Sequence, residues 1–268
     1  TGHGQLMRAV KAAAERTGAV AAAFTFDRSP TAVITGQPVP LLSTVEDRIW
    51  LMQHCYGIEE VVVASFDAMQ RMDWQDFIVQ YLVQELKVVH VVAGHDFHFG
   101  YMGKGNPQRL ADKCRQLGIG CDIIPCVEQD GIIVSSTYIR TLVAQGEIER
   151  ANEFLGHPYT ISDHVAHGKK LGSTLGFPTV NLRPKEHVLA PAKGVYATKV
   201  ILEDGQEHLA VTNVGTRPTV DDSDQLTIEG FILDFHGDLY GQKVRMEFYK
   251  YLRPERKFPS FDALKAEI

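Results

Sequence analysis

Apolar positions in the first 155 residues fall alternately into helical and strand rhythms. Leu6, Met7 and Val10 recur at helical spacing within residues 3–17, and Gly18 supplies a stop. Residues 19–26 then form a short apolar run with the length of a strand. Ser43-Thr44-Val45-Glu46 reads as a capping box, with Ser43 at the cap and Glu46 three residues on, opening a helix that ends near Gly57. Val61-Val62-Val63 is a buried strand, residues 73–86 a helix carrying Trp74, Phe77, Ile78 and Tyr81, and residues 88–93 another strand. Asn106, Pro107 and Gly118 mark the cap, first turn and end of the next helix. A strand over 121–127 and a helix from about Ser136 complete the alternation, which predicts an α/β domain with a parallel, doubly wound sheet.

The rhythm changes after the short helical run 147–155. Gly156-His157-Pro158-Tyr159 breaks that run, because proline biases the residue before it away from helix. Five strand-like segments follow at 159–167, 194–202, 209–214, 226–235 and 242–251, with turns at Asp204-Gly205 and His236-Gly237. Ser260 caps a closing helix over 261–268. Short strands with regular turns predict a small antiparallel barrel. The expected domains are therefore 1–155 and 156–268.

The 268 residues suffice for two domains of ordinary size, and a 44% hydrophobic content fits a soluble globular protein. No apolar run approaches the ~18 residues of a transmembrane helix, and the opening residues do not read as a secretory leader. Thr1-Gly2-His3-Gly4 reads instead as the middle of a motif, implying a preceding segment. A formal charge of −6 argues against a nucleic-acid partner, but a nucleotide enzyme needs only a few local cations. Cys55, Cys114, Cys121 and Cys126 lack zinc-like spacing, so free thiols in a reducing cytoplasm are expected.

Three stretches of the first half carry candidate chemistry. His3 stands at a helix N-terminus, where unsatisfied N–H groups favour an anion, although a surface histidine would read the same way. The loop of residues 94–100, Gly-His-Asp-Phe-His-Phe-Gly, follows a strand directly. Its Phe97 and Phe99 could stack on a flat heterocycle or anchor the loop to the core. Ser135-Ser136-Thr137 are natural helix caps, yet with Arg140 one turn in they also form a phosphate clamp.

The second half offers two more. The glycine-rich run GKKLGSTLGFPTVN, residues 168–181, combines flexible backbone with Lys169 and Lys170, a pairing suited to a polyanion, and Thr179 and Asn181 add hard oxygen atoms of the kind Mg²⁺ prefers. A solvent-exposed turn is the alternative, and the run is not a Walker loop. Glu229 shares a strand face with Thr227, Phe231, Leu233 and Phe235, so its carboxylate is either a rim ion-pair partner or a partly desolvated general base.

Taken together these segments resemble the bifunctional bacterial flavin-coenzyme synthetases. The run 168–181 is similar to the G-[RK]-x-L-G…L-G-F-P-T-A-N signature of riboflavin kinases. Gly2-His3 resembles the end of an H-x-G-H motif of nucleotidylyltransferases, residues 94–100 a G-x-[DN]-[FY]-x-F-G loop, and residues 135–140 an S-S-T-x-[IV]-R helix start. The resemblance implies a Rossmann-like FMN adenylyltransferase domain followed by a Greek-key riboflavin kinase barrel with a C-terminal helix. It implies ATP, riboflavin and FMN as substrates, with Mg²⁺. Glu229 would be the kinase's general base. Gly168, Lys169, Lys170, Gly172, Thr179 and Asn181 would bind nucleotide, with Thr179 and Asn181 on the metal. His3 would act in adenylyl transfer, with Ser136, Thr137 and Arg140 holding phosphates. Asp96, Phe97, Phe99 and Arg253, the last in a Leu-Arg-Pro-Glu segment, would lie on flavin.

Several positions depart from the pattern. Ser29 precedes Pro30 where the family has histidine, His98 stands where arginine is frequent, Val180 replaces alanine, Ser173 replaces a basic residue, and Asp163 stands where glycine is frequent. Two rival readings follow. One is a kinase whose adenylyltransferase half is weakened; the other is a flavin- or nucleotide-binding regulator.

Overall fold

The computed structural model describes residues 2–166, 179–185, 187–218 and 224–256. The expected ligands Gly168, Lys169, Lys170 and Gly172, together with Ser173 and the closing helix after Ser260, lie outside the described residues. Two compact units are present: Thr1–Val39 with Arg48–Ser135, and Pro40–Asp47 with Ser136–Ile268.

The first unit alternates helix and strand as the hydrophobic rhythm predicts. Helix α1 (Gly2–Thr17) leads to β1 (Ala22–Phe26), α2 (Pro30–Thr35), α3 (Val45–His54) and β2 (Glu60–Ala64). Strands β1 and β2 pair in parallel, with Phe24 opposite Val62. After α4 (Phe66–Met69) and α5 (Trp74–Asp76), the chain winds as a wide π-helix (Phe77–Glu85) into β3 (His90–Gly94). Helix α6 (Pro107–Leu117) returns it to β4 (Gly120–Ile124), which runs parallel to β3. The four strands form two parallel ladders, β1 with β2 and β3 with β4. A short hairpin follows, β5 (Glu128–Gln129) and β6 (Ile132–Ile133), with no counterpart in the expected pattern. Ile78, Leu110, Cys114, Phe77, Leu82 and Phe99 build one core; Met7, Ala21, Ala23 and Ile58 build another.

Local signals account for the helix ends. Asn106 Oδ1 accepts from Arg109 N at 2.9 Å, Pro107 opens α6, and Gly118 closes it at φ 71°, a left-handed value that glycine adopts without steric cost. The helix expected over 73–86 has its Asp73 cap, whose Oδ1 accepts from Gln75 N at 2.8 Å, but most of it is π-wound, with Phe77, Ile78 and Leu82 buried. The capping box before α3 is one residue later than expected. Thr44 Oγ1 accepts from Asp47 N at 3.0 Å and donates to Asp47 Oδ2 at 2.8 Å. With Val45 as the first helical residue, Asp47 rather than Glu46 occupies the third position that such a box requires. Glu46 is thereby released to meet Lys185 and Lys243.

The second unit begins with α7 (Ser136–Gln145) and α8 (Ile148–Leu155). Six strands follow: β7 (Tyr159–His164), β8 (Thr179–Leu182), β9 (Gly194–Ile201), β10 (Glu207–Pro218), β11 (Asp224–Ile232) and β12 (Lys243–Arg253). They form one antiparallel sheet in the order β7-β12-β9-β10-β11-β8. The sheet curls into a half-barrel, and its edges approach: Ala166 N, just past β7, donates to Asn181 O on β8 at 2.9 Å. Val180, Leu182, Val200, Val214, Ile228, Ile232, Met246 and Phe248 fill the interior.

Two expectations are corrected by this sheet. Residues 215–218, beyond the expected strand end at 214, continue β10 because each is paired with β11. Thr179–Leu182, the tail of the glycine-rich run, is a strand, with Val180 and Leu182 buried by the alternation. By compactness α7 and α8 group with the sheet, the units dividing at Ser135/Ser136. Helix α8 is tied to the sheet on two sides: Asn152 Nδ2 donates to Phe248 O at 2.8 Å, and Tyr159 N donates to Asn152 Oδ1 at 2.7 Å.

Candidate active sites

In the curled sheet, one row crosses three strands. Glu229 on β11 is the direct partner of Asn181 on β8 and of Asn213 on β10. Directly opposed residues of an antiparallel ladder present their side chains on the same face. Ile228 and Ile232, on the alternate face of β11, are completely buried in the barrel interior. The polar row therefore lies on the outer face, where Glu229 is half-buried and its Oε1 is wholly shielded from solvent. Thr179 joins the row from β8, with Asn181 Nδ2 donating to its Oγ1 at 3.5 Å, while the intervening Val180 is completely buried. Valine in place of alanine thus points into the core and leaves this face unchanged.

A second carboxylate braces the row. Asn213 Nδ2 donates to Glu255 Oε1 at 3.0 Å, fastening the segment after β12 to β10. Gly215 makes room for it: a Cβ there would lie 2.1 Å from Glu255 Oε1. Arg253 is half-buried, and its Nη1 donates to Pro254 O at 3.3 Å. Asn213 and Glu255 were not singled out by sequence reasoning. The signal available was strand alternation through residue 213, which the glycine and proline at 215 and 218 obscured.

Hydroxyl, amide carbonyl and carboxylate oxygens form a hard donor set of the kind Mg²⁺ prefers. Asn181 Oδ1 accepts no hydrogen bond among the described residues, which leaves it available to a cation. Thr179 and Asn181 therefore offer donors of a kind that suits that ion, beside the Glu229 carboxylate. Among the described residues no cluster of three or more His, Cys, Asp or Glu side chains is placed to hold a metal.

The first unit gathers its candidates at the carboxyl ends of β1 and β3. His3, in the first turn of α1, is exposed to water yet has many protein atoms around it. That crowding lowers its pKa first, with the positive charge of Arg48 acting in the same direction and Asp96 opposing. Asp96 is exposed, while Phe97 is half-buried and stacks on Phe99 with centroids 5.2 Å apart. Phe99, of the two aromatics in this loop, is the one that packs into the core. It is buried against Phe77, and a Cβ on Gly105 would lie 2.6 Å from its ring, so it holds the loop from beneath.

Ser29 has a structural task where the family pattern has histidine. Its Oγ accepts from Ala32 N at 3.3 Å, capping α2 ahead of Pro30. Ser136 and Thr137 belong to the second unit and are exposed in the first turn of α7. Arg140, one turn on, donates from Nε to Pro40 O at 2.7 Å, and burial lowers its pKa. The sequence reading passed over Arg48 on α3, whose Nη1 donates to Thr25 Oγ1 at 2.5 Å and to Phe26 O at 3.3 Å.

The two halves match two separate protein families. A riboflavin kinase family model matches residues 155–268, and an FAD synthetase family model matches residues 1–138. The Listeria monocytogenes bifunctional riboflavin kinase/FMN adenylyltransferase is 36% identical over 270 residues, spanning 100% of this chain and 85% of the relative. Its Haemophilus influenzae counterpart is 37% identical over 269 residues, spanning 100% and 86%. A solved Streptococcus pneumoniae chain, titled a macrolide-efflux protein, superimposes with a TM-score of 0.82 at 29% identity, covering 99% of this chain and 86% of that one. No helix among the described residues is long and apolar enough to cross a membrane. The chain belongs to the bifunctional riboflavin kinase/FMN adenylyltransferase family.

Proposed function

We propose that this chain phosphorylates riboflavin to FMN and then adenylylates FMN to FAD, consuming ATP at each step. The single observation carrying the kinase half is the row in which Glu229 faces Asn181 across a ladder. Glu229 takes the proton from the ribityl 5′-hydroxyl while that oxygen attacks the γ-phosphorus of ATP; the new P–O bond forms as the bond to ADP breaks. Partial burial suits this carboxylate to a base, because water competes less for it. Thr179 and Asn181 hold Mg²⁺, which when bound offsets the negative charge of the phosphates. The run beginning Gly168-Lys169-Lys170 and including Gly172 supplies backbone amides and cations to the nucleotide, on the strength of its motif. Arg253 contacts the flavin, and the Asn213–Glu255 bond holds its segment in place.

In the other reaction an FMN phosphate oxygen attacks the α-phosphorus of ATP and pyrophosphate leaves. His3 stabilises the triphosphate, and Ser136, Thr137 and Arg140 are its phosphate ligands by motif. Asp96 and Phe97 contact FMN, with Phe99 as their support. The domains follow as 1–155 for adenylyl transfer, a doubly wound Rossmann-like fold, and 156–268 for the kinase, a Greek-key barrel closed by a C-terminal helix. The substrates are small molecules, the setting cytoplasmic, and neither nucleic acid nor membrane takes part.

Chromatography of riboflavin with ATP and Mg²⁺ over time tests the scheme. FMN appears first and FAD follows. FAD formed without an FMN requirement, or a chain inert toward riboflavin, contradicts it.

A further inference from the structure

Arg48 is a half-buried cation with no ion-pair partner among the described residues. Its Nη1 is anchored by two neutral acceptors at the carboxyl end of β1, the buried hydroxyl of Thr25 and the carbonyl of Phe26. No carboxylate pairs with it among the described residues, and its Nε and Nη2 make no hydrogen bond there. Burial lowers its pKa, the direction expected when a charge loses water without gaining a counter-charge. Such a group normally costs stability unless paired. Both Arg48 and Asp96 act on His3 in the first turn of α1, whose N-terminal amides carry the positive end of the helix dipole. Carboxyl ends of parallel strands are where ligands of such folds bind. A guanidinium held from one side with three donors left over is arranged to receive a phosphate, whose oxygens match its planar fork.

We propose that Arg48 is a phosphate-binding residue of the first unit, contacting a phosphate group of the adenylyl-transfer substrates. This rests on the adenylyltransferase assignment made above. Two phosphates carry the required chemistry, the triphosphate of ATP and the 5′-phosphate of FMN. Thr25 and Phe26 act as its positioning groups, holding the fork at a fixed height above β1.

The test compares Arg48→Gln and Arg48→Lys with the parent in the full-length protein, measuring adenylyl transfer with ATP and FMN varied separately. The kinase activity of the same preparations reports on folding. Arg48→Gln is expected to lower adenylyl-transfer kcat/KM by roughly 10- to 100-fold, the worth of one charge-assisted bond, with kinase turnover unchanged. Arg48→Lys recovers part of the loss. A raised KM for ATP alone assigns the triphosphate, and a raised KM for FMN alone assigns the 5′-phosphate. The pH profile is a second readout. Arg48 and Asp96 are side-chain charges acting on His3 with opposite sign, so removing the Arg48 charge moves the His3 limb to higher pH in Arg48→Gln and leaves it in place in Arg48→Lys. Unchanged KM values for both substrates overturn the proposal, whatever happens to kcat. A parent protein that makes no FAD from FMN overturns instead the assignment on which it rests.

Discussion

Glu229 and Asn181 are direct partners in the ladder between β11 and β8, so a carboxylate and an amide separated by 47 intervening residues share one row of a sheet. Asn213 completes the row from β10. Register holds these groups, since slipping either strand by one residue would drive Ile228 or Val180 out of the core and onto the site. That constraint makes the site testable by substitutions that leave the interior intact.

Glu229→Gln removes the base while keeping size and hydrogen-bonding capacity. Riboflavin kinase kcat is expected to fall by about 10²- to 10⁴-fold, the usual worth of general-base catalysis. The KM for riboflavin stays within a few-fold, and FAD formation from added FMN is retained. Full kinase turnover in this variant, followed by FMN chromatography, would exclude the assigned base.

Asn181→Ala and Thr179→Val act on the cation. Each is expected to raise the Mg²⁺ concentration needed for half-maximal kinase rate by roughly ten-fold, the lower end of what losing a ligand-shell contact costs in metal affinity. A magnesium titration of FMN formation measures it. An unaltered midpoint in both variants would place the ion elsewhere.

Gly215→Ala probes the brace. The new methyl group meets the end of the Glu255 side chain, which can swing away, so the melting temperature should change little. The displaced carboxylate then loses Asn213, and the KM for riboflavin is expected to rise several-fold through the loosened Arg253 segment. Glu255→Ala should produce the same defect, and combining the two changes should add nothing further. An additive double variant would show that the two positions act independently.

Gly100 offers a control in the first unit. It sits at φ 73°, and a Cβ there would lie 2.6 Å from the Trp74 backbone, which cannot swing aside. Gly100→Ala is expected to destabilise this unit by about 1–3 kcal/mol, the usual range for strain at a special backbone position. Thermal unfolding followed with both activities should show adenylyl transfer lost before kinase turnover.

Much of this protein was legible in its sequence because the signals are local. Asn106, Pro107 and Gly118 bound α6 through contacts within a few residues, and helix and strand periodicity separated the two halves. The PTVN run and Glu229 stood out as residue types whose chemistry is distinctive wherever they lie. Local signals also misled. Ser43-Thr44-Val45-Glu46 and Thr44-Val45-Glu46-Asp47 offer nearly equivalent caps, and only the burial of Asp47 and the meeting of Glu46 with Lys185 and Lys243 distinguish them.

By itself, the sequence determined the order of elements, the α/β character of the first half, the mostly β character of the second and the identities of the reactive groups. Tertiary structure alone decided which of those groups meet. The pairing of Glu229 with Asn181 and Asn213, the bracing of Asn213 by Glu255, the withdrawal of Phe99 into the core and the anchoring of Arg48 by Thr25 and Phe26 at the end of β1 depend on distant segments. Strand register and burial are set by the packing of the whole barrel and the whole α/β core, and no short window of residues contains that information.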